Sequence, residues 1–150
     1  MNTTYYNIGE VSKMFDLPIS TLHYYDREGL FPNLNRSKSG VRKFDDSAVE
    51  SLRLIECLKK TGMEIKDIKE FIIWCQQGPS TYKKRREMFN KQRENVETEI
   101  EHLNQVLDMI KFKCWYYDTA IADGNEDRLK NLKLEDMPED VRKAWENAHR

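Results

Sequence analysis

Between Ser20 and Leu30 the chain reads Ser-Thr-Leu-His-Tyr-Tyr-Asp-Arg-Glu-Gly-Leu. If this stretch is a helix, it cannot hide all of its polar groups. Neighbouring residues of a helix point about 100° apart, so Tyr24 and Tyr25 cannot both face a core. Leu22 and one tyrosine pack inward. Ser20, Thr21, His23 and the other tyrosine remain outward, a set of short donors, an imidazole and a phenol suited to phosphates and base edges. Taken alone, the stretch reads equally well as a core helix with a solvated face. The adjoining segment favours nucleic acid. Asn33 to Phe44 holds Arg36, Lys38, Arg42 and Lys43 and no acid. A basic hairpin beside a recognition helix straddles a phosphate backbone.

These residues must be held by elements, and the flanking signals define them. Asn7-Ile8-Gly9-Glu10 pairs an N-cap residue with a Glu three positions on, a capping-box variant. A first helix follows, with Ile8, Val11 and Phe15 on its inner side. Asp16-Leu17-Pro18 ends it in a tight turn. A second helix runs from about Ile19 to Glu28 and stops at Gly29, a glycine placed just past a helix end. Two short helices joined by such a turn form a helix-turn-helix. Asn33 to Phe44, with Ser37, Ser39 and Gly40 between short flanks, reads as a β-hairpin, a wing. Asp45 or Asp46 caps a third helix that ends before Gly62, with Val49, Leu52, Ile55 and Leu58 at helical spacing. A fourth helix spans about Ile65 to Gln77, with Ile65, Ile68, Phe71 and Ile72 on one face, and Gly78-Pro79 breaks it.

A long helix begins near Ser80 and extends to about Ala122. Tyr82, Phe89, Val96, Leu103, Ile110 and Tyr117 recur every seven residues, and Ile100, Leu107 and Cys114 follow members of that series by four. These are the two seam positions of a heptad repeat. Arg86 and Arg93 occupy the second seam position in the first half, so packing should be tightest from Val96 onward. A rod of roughly 60 Å cannot bury its seam alone. The same helix of a second chain, parallel or antiparallel, is the natural partner; folding back on its own domain is the alternative. After the break at Gly124-Asn125, Met137-Pro138-Glu139-Asp140 marks another helix start, with Pro at the first position. Trp145 is placed to anchor this last helix.

Composition bounds the function. The 150 residues carry 25 basic and 26 acidic groups, for a net charge of −1. That balance hides its distribution. Residues 1–78 hold 11 of each sign, 79–117 hold 8 basic and 6 acidic, and 118–150 hold 6 and 9. Local charge governs contact, because fields are screened beyond about 8–10 Å at physiological salt. The N-terminus has no apolar run behind basic residues, and nothing approaches roughly 18 consecutive apolar residues, so neither secretion nor a membrane span is expected. Three widely spaced cysteines, Cys57, Cys75 and Cys114, fit free thiols in a reducing cytoplasm. His23, His102 and His149 are scattered without a nucleophile–base arrangement. There is no glycine-rich phosphate loop and no Cys/His pair at metal-ligand spacing. No enzyme activity, metal or cofactor is therefore expected.

Motifs in order carry a resemblance. Tyr6-x-Ile8-Gly9-Glu10-Val11, Thr21-Leu22-His23-Tyr24-Tyr25-Asp26, Gly29-Leu30, Gly40-x-Arg42 and Thr61-Gly62-Met63 together resemble the MerR family of bacterial transcription regulators. The resemblance covers residues 5 to about 76; the long helix fits by position. It implies a winged helix-turn-helix with two further helices, dimerised by an antiparallel coiled coil. It also implies binding to an inverted repeat within a promoter whose spacer is overlong. Family members bend and untwist that spacer so that RNA polymerase engages both promoter elements, and protein contacts offset the deformation energy of the DNA. Three positions depart from the family pattern: His23 stands where Arg is common, Val41 where an aromatic is frequent, and Pro18 where Ser often caps the second helix. Lys59 matches a position often basic in the family, which implies a phosphate contact, against an ordinary solvated lysine.

The resemblance also bears on the signal. Ile55-Glu56-Cys57-Leu58 ahead of Lys59-Lys60-Thr61-Gly62-Met63 resembles a metal-free branch associated with aldehydes and other electrophiles, in which a lone thiol at this place is the sensor. A thiolate beside Lys59 and Lys60 would react faster; a free cysteine that merely packs is the alternative. Cys75 and Cys114 read as core and seam residues. A second candidate effector site is Trp115, Tyr116 and Tyr117, an aromatic pocket for apolar or cationic molecules shared with a partner's DNA-binding half. The same cluster equally docks the tail.

The expectation is a mainly α protein: a winged helix-turn-helix DNA-binding domain over 1–78, a coiled-coil dimerisation helix over 79–122 and a short helical tail over 123–150. Ser20, Thr21, His23 and Tyr24 enter or flank the major groove of double-stranded promoter DNA. Tyr25, Arg36, Lys38, Arg42, Lys43 and Lys59 hold the backbone. The homodimer acts with RNA polymerase and a small-molecule or electrophile inducer. The other class is an architectural DNA binder or a coiled-coil adaptor without promoter activation.

Overall fold

The computed structural model describes residues 4–36 and 42–150. These form two compact units, Met1–Asn90 and Lys91–Arg150, and the boundary falls inside one long helix.

In the first unit, strand β1 (Tyr5–Tyr6) leads into helix α1 (Ile8–Phe15). The Asn7 side chain accepts from the Glu10 amide at 2.8 Å, as the sequence signal required. Asp16, in the left-handed conformation at φ 52°, turns the chain. Helix α2 (Ile19–Arg27) follows, with no side-chain cap at Pro18. Gly29 closes it at φ 81°, a conformation that a Cβ would strain.

Strands β2 (Asn35–Arg36) and β3 (Arg42–Asp45) pair antiparallel with Arg36 opposite Arg42. β1 joins the other edge of β3, Tyr6 opposite Phe44, so the sheet has three strands in the order β1-β3-β2. The hairpin is thus confirmed at its base and gains a strand the sequence did not reveal. Two residues are too few for alternation to register. Lys38 and Gly40, which the sequence places at the tip, lie outside the described residues, as do the side chains of Arg36 and Arg42.

Helix α3 (Asp46–Lys60) starts on Asp45, which settles the choice of cap: its carboxylate accepts from the Ala48 amide at 2.8 Å. Helix α4 (Ile65–Gln77) has the predicted bounds. The core joins these pieces. Val11, Leu22, Leu30, Phe44, Leu52, Ile55 and Ile68 are 2% exposed or less. Burying a side chain of this kind stabilises by about 1.5–3 kcal/mol. Phe31 meets Phe44 edge to face at 5.4 Å, fastening the segment after α2 to the wing strand.

The turn after α4 is built around Thr81, 3% exposed. Its hydroxyl donates to the Trp74 carbonyl at 2.6 Å and accepts from Arg85 Nε at 2.9 Å, while Arg85 Nη2 donates to the Gly78 carbonyl at 2.8 Å. Helix α5 (Tyr82–Asp123) then runs 42 residues. Its seam is uncovered: Ile100, Leu103 and Ile110 are 52, 66 and 54% exposed.

The second unit continues with helix α6 (Asp127–Lys130) and helix α7 (Glu139–Ala148), in which Leu129, Val141 and Ala144 are buried. Asn147 Nδ2 donates to Asp108 Oδ2. Pro138 occupies the cap of α7 and not its first turn, because its ψ of 144° is extended. No helix among the described residues is long and apolar enough to cross a membrane.

Candidate nucleic-acid interface

Helix α2 resolves the ambiguity of its two tyrosines. Leu22 and Tyr25 turn inward at 0 and 1% exposure, and Tyr24 turns outward at 40%. Ser20 is exposed, and Thr21 and His23 are half-buried. The four therefore share the solvent side of α2, with donors and an imidazole at the surface. Lys43, exposed on β3, lies over the Tyr5 ring at 5.9 Å, so the added strand β1 supports a wing cation.

Tyr25 corrects the sequence reading. Its ring belongs to the core, which leaves it poorly placed to hold a DNA backbone. The hydroxyl instead donates to Glu56 Oε1 at 2.8 Å and accepts from Lys59 Nζ. Lys59 Nζ also lies 3.7 Å from Glu56 Oε1 and 5.0 Å from the Tyr25 ring centre. Burial, followed by the Glu56 carboxylate, pushes the Tyr25 phenol well above its ordinary range. The phenol is neutral and ties α2 to α3. Lys59, whose side chain is 37% exposed, is held at this junction and is not an unattached surface lysine. The spacing of Glu56 and Lys59 by three on a helix announced an ion pair. Their joint partner on α2, more than thirty residues earlier, had no sequence signal.

The thiols are placed as follows. Cys57 is exposed on α3, free and directly after Glu56. Cys75 is exposed on α4 and is not the core residue expected. It follows Ile72 by three, but sits in the last turn, where the apolar stripe outruns the elements that cover it. Cys114 is exposed on α5. Among the described residues no group of His, Cys, Asp or Glu is arranged to hold a metal ion.

The aromatic cluster of α5 is a real cluster. Phe112 lies 6.2 Å from Trp115 and 6.1 Å from Tyr116, and Tyr116 meets Tyr117 edge to face at 5.1 Å. Lys113 Nζ lies over the Tyr116 ring at 5.1 Å. The Tyr116 hydroxyl donates to Glu126 at 2.8 Å, and that bond raises the phenol's pKa. This contact draws the tail to α5. Trp115 borders an open, polar groove with Asp108, Asp118 and Asp140.

Comparison with known proteins agrees with this geometry. The model of the MerR HTH family regulatory protein matches residues 6–72, and the MerR, DNA binding model matches residues 49–111. An uncharacterized HTH-type transcriptional regulator of Haemophilus influenzae is 36% identical over 134 residues, covering 89% of this chain and 97% of that protein. The HTH-type transcriptional regulator AdhR of Bacillus subtilis is 31% identical over 90 residues, 60% of this chain and 64% of its own. Among solved structures, HiNmlR, a MerR family regulator lacking the sensor domain and bound to promoter DNA, has a TM-score of 0.72 at 36% identity, covering 81% of this chain and 97% of its own. A MerR family regulator from Bacillus thuringiensis has a TM-score of 0.66 at 43% identity, covering 74% of this chain and 97% of its own. A winged helix-turn-helix with donors on its second helix, continued by a long helix and matched to a relative across nine-tenths of this chain, places it in the MerR family of DNA-binding transcription regulators.

Proposed function

We propose that the protein binds an inverted-repeat promoter as a homodimer and controls transcription by distorting the spacer so that RNA polymerase engages both promoter elements. The observation that carries this reading is the solvent face of α2, Ser20, Thr21, His23 and Tyr24, beside a hairpin whose strand carries Lys43. The first four enter or flank the major groove. Arg36, Lys38, Arg42 and Lys43 neutralise phosphates, and Lys59 adds a contact from the end of α3. Residues 1–78 bind DNA, 79–122 dimerise and 123–150 support the end of the coil.

The charge of α5 supports the dimer. Residues 82–93 carry six cations and one acid, while 94–123 carry two cations and seven acids. An antiparallel pair sets each basic start against an acidic half and covers the exposed seam of Ile100, Leu103 and Ile110. A parallel pair sets like charges together.

The signal in this reading is an electrophile such as an aldehyde, sensed by the exposed thiol of Cys57. That thiol follows Glu56, and Glu56 holds Tyr25 of α2 and Lys59, so modification there is felt at the DNA-binding helix. The test is transcription in vitro from a promoter carrying the inverted repeat, with and without a reactive aldehyde, for wild type and Cys57→Ser. The expected result is a protein-dependent change in transcript that the aldehyde increases only for wild type. Equal response of both proteins removes Cys57 as the sensor. No effect of the protein on transcript removes promoter control and leaves an architectural binder.

A further inference from the structure

Between α3 and α4 the first unit contains a cavity of about 330 Å³. Its wall is apolar, formed by Leu54, Leu58, Ile68, Phe71 and Ile72. The side toward the wing is formed by the Phe31–Leu34 connection from α2 to β2. Polar groups, among them Ser51, Cys75 and Gln76, border it as exposed residues. Among the described residues no Lys, Arg or His lines it, and the one carboxylate that does, Asp45, is engaged by the Ala48 amide. The chemistry therefore selects against an anion and offers no bare charge to a cation. A cavity of about 150 Å³ with this kind of lining takes up benzene in another protein. This one is about twice that size and lies at the lower end of small-molecule sites.

We propose that this cavity binds a neutral, mostly apolar molecule the size of two fused rings with one hydrogen-bonding group, and that its occupancy alters promoter binding. The ring system lies against Phe71, Leu58 and Leu54, and its polar group meets Ser51 or Gln76 at the mouth. The effect on DNA follows from the wall. Phe31 lines the cavity and packs edge to face on Phe44 of β3, the strand that carries Lys43. A guest that displaces Phe31 shifts the base of the wing. This consequence rests on the DNA-binding reading above; the site itself rests only on the cavity.

The three thiols provide the test. All are exposed, and only Cys75 borders the cavity. The full chain is labelled with iodoacetamide with and without 1-naphthol, and the rate at each cysteine is followed by peptide mass spectrometry. At ten times the dissociation constant, labelling of Cys75 should slow about tenfold while Cys57 and Cys114 are unchanged, following 1 + [L]/Kd. Ser51→Phe, a change at an exposed position, fills the mouth without overpacking the core and should abolish the protection. Affinity for a promoter fragment should change with 1-naphthol for wild type and not for Ser51→Phe. Unprotected Cys75, equal protection in Ser51→Phe, or promoter affinity indifferent to the probe each overturns the proposal. So does a Cys75 that is unreactive before any probe is added, since a second copy of the chain then fills the cavity. Failure to bind the promoter in the absence of probe refutes the proposed function instead, and the labelling arm, which uses no DNA, still reads the cavity.

Discussion

Replacing Tyr25 by Phe isolates one hydroxyl at the junction of α2 and α3. The ring is 1% exposed, and Phe fills the same space, so packing is kept and only the polar link is lost. That link is a hydrogen bond to a carboxylate, Glu56 Oε1 at 2.8 Å, together with the bond accepted from Lys59. A hydrogen bond to a charged group contributes about 1.5–3 kcal/mol to stability. The Glu56 side chain is 21% exposed and keeps Lys59 at 3.7 Å, so water and the remaining ion pair recover part of the loss. The expected cost is therefore about 1–2 kcal/mol, toward the lower end of that range. The effect should be local. Native-state hydrogen exchange of the α2 amides should accelerate by about tenfold, the factor corresponding to roughly 1.4 kcal/mol. Amides of α5 beyond residue 91 belong to the other unit and should be unaffected. An α2 that exchanges at the wild-type rate in Tyr25→Phe would refute the argument that this hydroxyl fastens α2 to α3.

The same phenol sets a pH limit: the unfolded group ionises near 10.0 and the folded one higher, so its contribution is full below pH 10.0 and is lost as pH rises through the folded value. Denaturant titrations of wild type should lose stability above pH 10.0, and Tyr25→Phe should lose less over that window. Lys43→Ala should weaken binding to specific and random duplex alike and make the salt dependence shallower by about one unit, read from affinities at several salt concentrations. An unchanged slope removes Lys43 from the phosphate contacts. Leu103→Lys, at a seam position 66% exposed in the single chain, should leave the fold of each unit intact and shift sedimentation from dimer toward monomer. In the second unit, Arg128 forms two bonds to Asp123 at 2.9 and 3.1 Å, and the hydrogen bonds from Arg128 depress the Asp123 pKa. The link should therefore persist above the ordinary Asp value of 3.8 and weaken as pH falls below it, seen as faster exchange at the α5–α6 turn.

Local signals determined most of the elements. Asn7 and Asp45 cap helices because a short side chain two or three positions before a free amide satisfies it regardless of distant structure. The limits of α4 were legible for the same reason: Gly78-Pro79 ends a helix in any context. The heptad spacing along α5 and the ordered motifs of the first unit also stood in the chain itself. What the sequence left open were choices between faces and partners. That Tyr24 faces outward and Tyr25 inward depends on where α3 lies, and both arrangements fit a 3.6-residue repeat. The Tyr25–Glu56–Lys59 junction joins residues 31 and 34 positions apart, and β1 pairs with a strand nearly forty residues later. The cavity beside Cys75 is a space between elements and has no residue pattern of its own. Caps and periodicities act within a few residues and are therefore written in the chain. Burial, cross-helix bonds and voids arise only when separate elements meet, and tertiary packing alone decided them.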